Sequence, residues 1–88
     1  MALFGRSGFT NIPVSCKTKD AAAMVIEIAE RLATARFRCV LNHAIMADKL
    51  TRGFVAELRF NKILNSSEIS TLTMEVGRYG LVGQPKYD

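Results

Sequence analysis

Apolar and polar residues alternate near the start of the chain: Ile12, Val14 and Cys16 against Pro13, Ser15 and Lys17. That is the period of a half-buried strand. Pro13 has no N–H for a ladder, so a bulge or irregular edge is expected there. The period then changes. Ala21, Met24, Val25, Ile28, Ala29 and Leu32 recur at helical spacing, with Glu27, Glu30, Arg31 and Thr34 opposite. Thr18 to Asp20 supplies capping side chains, and the pattern predicts a helix over about 19–34. Phe37, Cys39 and Leu41 next alternate with Arg36, Arg38 and Val40, which predicts a second strand.

Residues 43–52 have no clear period; Ala44 to Ala47 also fits a helical turn. Alternation resumes at Gly53. Phe54, Ala56, Leu58 and Phe60 face one way, and Val55, Glu57, Arg59 and Asn61 the other, in a third strand. Asn65 and Glu68 then have the spacing of a capping box, with Leu64 and Ile69 at the two staple positions. The helix they open buries Ile69, Leu72 and Val76, and Gly77 or Gly80 is expected to end it in a left-handed turn. Leu81 and Val82 form a short last strand.

The order β-α-β-β-α-(β) points to an α+β domain. Its simplest packing is the ferredoxin-like split βαβ, an antiparallel sheet with two helices on one face. The alternative is a mostly helical fold in which 43–52 joins a longer helix. Residues 1–8 read as a flexible N-terminal arm, 9–82 as the domain and 83–88 as a C-terminal tail.

Composition narrows the function classes. The 88 residues are 49% hydrophobic and 23% charged, which suits one globular domain and argues against disorder. The net charge is +4 and the pI about 9.4, with the cations spread along the chain. No block of like charges resembles a nucleic-acid tail. Cys16 and Cys39 are too few for a disulfide framework and lie in apolar segments, so both are expected to be reduced and buried. The first six residues lack the pattern of a signal peptide. The longest apolar run, Ala21 to Ile26, is far too short to span a membrane. A cytoplasmic protein with no membrane partner is the expectation.

With the apolar stripes turned inward, the open sheet face is expected to carry Ser15, Lys17, Arg36, Arg38, Glu57 and Arg59. Four cations there suit phosphates or an acidic protein surface. Arg52-Gly53-Phe54 shares the basic-Gly-aromatic opening of the RNA-contacting strand in RNA recognition motifs. Val55, Ala56 and Glu57 depart from that motif, and Phe54 shares an inward stripe with Leu58 and Phe60. Cys16, Cys39 and His43 have no C-x-x-C pair, so neither a zinc site nor any other cofactor is expected. Cys39 with His43 makes a poor nucleophilic dyad, because Cys39 belongs to the inward stripe. Gly77, Gly80 and Gly83 follow a helix instead of opening one, unlike a phosphate loop.

The sequence therefore reads as a small non-enzymatic protein-interaction module. It is a homo-oligomer, or an accessory or inhibitory subunit that binds another protein through a sheet edge or the open face. Phe4, Phe9 and Tyr87 are apolar anchors beyond the core. The alternative is a nucleic-acid-binding module contacting phosphates through Lys17, Arg36, Arg38 and Arg59.

Overall fold

The computed structural model describes residues 8–88, so the expected arm, with Phe4, lies outside the described residues except for Gly8. Strand β1 (Thr10–Cys16) leads to helix α1 (Lys19–Leu32), a wide π-type turn (Ala33–Phe37) and strand β2 (Leu41–Asp48). Strand β3 (Gly53–Phe60), helix α2 (Ser66–Val76) and the short strands β4 (Leu81–Val82) and β5 (Lys86–Tyr87) follow. The antiparallel sheet has the order β2-β3-β1-β4, with β5 also on β1. This is the ferredoxin-like α+β fold.

The inward stripes form most of the core, but the buried face of α1 is rotated from the expected one: Ala22 and Ile26 are buried with Val25, Ala29 and Leu32, while Ala21, Met24 and Ile28 are only partly buried. Ile12 and Val14 of β1, Ala56, Leu58 and Phe60 of β3, Val25 and Ala29 of α1, and Leu72 and Val76 of α2 are all buried in one cluster. Phe37 reaches it from the π-type turn and meets Phe60 edge to face, with ring centres 5.9 Å apart. Among the described residues Thr10 is the buried polar side chain. Its hydroxyl donates to the Lys62 carbonyl at 2.7 Å and accepts from the Leu64 N–H at 2.9 Å, which ties the β3–α2 loop to β1.

Both expected helix caps form. The Thr18 hydroxyl accepts from the Ala21 N–H at 3.0 Å. Asn65 and Glu68 make the reciprocal capping box, at 2.8 and 2.9 Å. Two terminal details differ. Gly77 has φ −61°, and no described glycine has a positive φ. Gly80 is needed instead for close approach: a Cβ there would lie 2.7 Å from the Ser15 carbonyl oxygen and 2.9 Å from the Cys16 sulfur.

The second strand lies further along than the alternation of 36–41 implies. Helix α1 widens into the π-type turn, which takes in Arg36 and Phe37. Arg38 then reverses the chain in the left-handed conformation, φ 57°, and the Ala33 carbonyl accepts both the Arg38 and Cys39 N–H groups. The segment without a period, 43–52, is most of β2 and its turn into β3. The Asp48 carboxylate accepts the Leu50 N–H at 3.0 Å, and Arg52 adopts φ 63°. A Cβ at Gly53 would run into the Cys16 carbonyl oxygen. Arg52-Gly53 is thus turn chemistry, and Phe54 packs against the core.

Residues 83–88, expected to be a tail, return to the sheet. Asn11 pairs with Lys86 and Thr10 with Tyr87, and Phe9 and Asp88 exchange backbone hydrogen bonds at 3.0 and 3.3 Å. Between β4 and β5, Gly83 to Pro85 oppose only Ile12 and Pro13, which makes the bulge expected at Pro13. The Pro13 carbonyl accepts the Gly83 N–H at 2.8 Å, so its missing N–H falls on this edge and not on the central ladder with β3.

Candidate functional site

The sheet has two unlike edges. The β4/β5 edge is short, bulged, and carries Pro85 and Lys86, all devices that discourage further strand pairing. At the other end of the sheet, β2 is eight residues long and regular, and from Leu41 to Ala47 it has no Lys, Arg, Asp, Glu or Pro. Nothing among the described residues pairs with its outer side.

The register identifies which backbone groups are free. The Val40 carbonyl accepts from the Asn61 N–H at 3.0 Å, so Val40 faces β3. Alternation then turns Asn42, Ala44 and Met46 toward β3 and leaves the N–H and C=O groups of Leu41, His43, Ile45 and Ala47 pointing outward. An extended chain laid along β2 would satisfy these groups by strand addition.

The open sheet face adjoins this edge. It carries Asn42, Ala44 and Met46 of β2, Val55, Glu57 and Arg59 of β3, and Asn11, Pro13 and Ser15 of β1. A shallow groove of about 320 Å³ lies over Asn11, Asn42, His43, Ala44, Glu57 and Arg59. Met46 is 48% exposed, and beyond the two ends of β2 Val40 is 59% and Leu50 96% exposed. Free backbone and apolar side chains thus lie together along one border of the molecule.

The four cations expected on the open face do not assemble there. Arg59 is on it, but its guanidinium donates to the Asn11 side-chain oxygen at 3.1 Å and to the Asp88 carboxylate at 3.2 Å, and it stacks 4.2 Å from the Phe9 ring centre. Lys17 follows β1 at the opposite end, roughly 20 Å along the strand from Asn11. Arg36 lies in the π-type turn and Arg38 caps it, both outside the sheet. The period-two spacing that placed them beside Arg59 is accidental, because the wide turn winds that segment. The missed residues are those of β2, with Asn11 and Asp88. The uncharged run 41–47 was the signal available for the edge.

Neither cysteine is set up as a nucleophile. Cys16 is buried and Cys39 half-buried, and both are free thiols. Burial raises each thiol's pKa; at Cys39 the charge of Lys62 opposes this and Glu68 adds to it. His43 instead lies 3.7 Å from the Glu30 carboxylate. Among the described residues no cluster of three or more His, Cys, Asp or Glu could hold a metal ion, and no helix is long and apolar enough to cross a membrane.

An ion pair sets where β2 begins. The Lys62 ammonium donates to the Phe37 carbonyl at 2.9 Å and to the Glu68 carboxylate at 2.6 Å, joining the π-type turn to the start of α2. Burial would raise the Glu68 pKa. The hydrogen bond from Lys62, the Asn65 N–H and the ammonium charge together outweigh it and hold the carboxyl below its ordinary value.

Comparison with known proteins supports the fold. No family model matches the chain, and no curated protein does. The chain is similar to the solution structure of the C-terminal domain of the MgtC protein from Mycobacterium tuberculosis. The TM-score is 0.61 at 13% identity, over 100% of this chain and 92% of that one. At that identity the likeness concerns the fold alone.

Proposed function

We propose that this chain is a small non-enzymatic protein-interaction module that binds another polypeptide by strand addition to β2. The observation that carries the reading is the unguarded edge: four residues with free backbone groups on the regular, uncharged stretch 41–47, which also holds the exposed Met46. Sheets that bind nothing at an edge normally protect it, as β4/β5 does here.

His43→Pro removes one outward N–H and leaves the ladder to β3 intact, because Pro is tolerated where the N–H faces solvent on an edge strand. Retention of partner protein from a native lysate by the unaltered chain, and its loss with His43→Pro, is the expected result. A strict monomer that retains nothing would refute the reading. Phosphate contact through Lys17, Arg36, Arg38 and Arg59 is the competing proposal, in which Lys17 stands at the far end of β1 from Arg59 and Arg36 and Arg38 lie off the open sheet face. Nucleic-acid binding that weakens steeply with salt and is abolished by Arg36→Glu with Arg38→Glu would favour it.

A further inference from the structure

We infer that the polypeptide fitting the β2 edge is β2 of a second copy of this chain, antiparallel about a two-fold axis at Ala44; the inference rests on the strand-addition reading above. Three features of the edge select this occupant. First, the outward residues are symmetric about Ala44. A copy related by that axis sets His43 against Ile45 and Leu41 against Ala47, and each pair exchanges both backbone hydrogen bonds. Second, Ala44 has its own polar groups turned to β3, so on the axis it forms a non-hydrogen-bonded pair with itself. This is where two antiparallel strands come closest, about 4.5 Å between Cα atoms. The position opposite itself at that closest point is a small, exposed Ala.

Third, charge and apolar exposure match. In a chain of net charge +4, the segment 41–47 holds only His43 as an ionisable group, and this register places it against Ile45, not against its own copy. No like charges meet along the paired segment. The exposed Val40 at the start of one strand comes opposite Asp48 of the other, next to the turn that carries the exposed Leu50. The sheets join into one, with both open faces on the same side.

Paired only over the seven residues 41–47, the strands make a smaller contact than the ~1,200–2,000 Å² that stable interfaces bury, so the dimer is expected to dissociate on dilution. Sedimentation velocity of the full chain over a roughly thousandfold dilution series reads this directly. A monomer–dimer equilibrium is expected, weakened about tenfold or more by His43→Pro. Ala44→Cys supplies a test that does not depend on how the proline variant folds. Opposed Cα atoms at that spacing suit a disulfide. Mild oxidation is expected to link Ala44→Cys to itself, while Asn42→Cys links only when mixed with Met46→Cys.

A monomer at every concentration, or a dimer in which Ala44→Cys does not cross-link, would overturn the inference. If the chain is monomeric yet retains a partner that His43→Pro loses, self-pairing fails while the strand-addition reading stands. If no partner is retained either, both fail.

Discussion

The two edges of this sheet show opposite treatments of the same hazard. At β4/β5 the last six residues return along β1, and the edge ends in a bulge, a proline, a lysine and a side-chain clasp. The Asp88 carboxylate takes hydrogen bonds from Asn11 and Arg59 at 2.9 and 3.2 Å, and Arg59 stacks on Phe9. At β2 none of these devices is present. The strand is as long as β3 beside it, and its outward backbone groups pair with nothing among the described residues. One molecule holding both arrangements is what the proposed strand addition to β2 rests on.

The guarded edge can be opened. Gly80→Val forces atoms into the Ser15 carbonyl oxygen and Val14, both 2.7 Å from a Cβ there. A loss of about 1–3 kcal/mol in urea unfolding is expected, with aggregation as the outer side of β1 becomes free. The open edge can be closed. Ala47→Lys places a charge on the paired segment and is expected to weaken self-association about tenfold, roughly 1.4 kcal/mol. Monomer stability should stay within about 0.5 kcal/mol, because Ala47 is exposed.

The clamp that starts β2 is pH-dependent. Glu68 has a depressed folded-state pKa, so its contribution is present above the unfolded value of about 4.3 and is lost as pH falls through the folded value. Glu68→Gln is expected to cost about 1 kcal/mol at neutral pH and to flatten the acid limb of the stability profile. The smallest effect is expected at the clasp. Asp88→Asn removes a half-exposed ion pair worth less than about 1 kcal/mol, and added salt should erase the difference in thermal unfolding.

Most of the fold was legible because most elements bury one face. β1, α1, β3 and α2 each pack a stripe into the core, and burial on one side creates the period that a sequence displays. β2 was not legible for the reason that makes it interesting. At the edge of the helical layer only Leu41 is buried, so Asn42, His43, Ala44 and Ala47 need not alternate. The π-type turn then supplied a false period through Phe37, Cys39 and Leu41. Those residues reach the core by way of a wide turn and a left-handed Arg38, and this also moved Arg36 and Arg38 off the face assigned to them. The clasp needed the return of residues 83–88, and no local pattern announces a strand of two residues.

Hydrogen exchange at single amides compares the two edges most directly. In dilute solution the outward N–H groups of Leu41, His43, Ile45 and Ala47 should exchange fast, while those of Asn11 and Ser15, facing β5 and β4, are protected. At high concentration protection should rise at the four β2 amides and stay unchanged at Asn11 and Ser15. Concentration-independent exchange at β2, or new protection confined to another surface, would contradict the account.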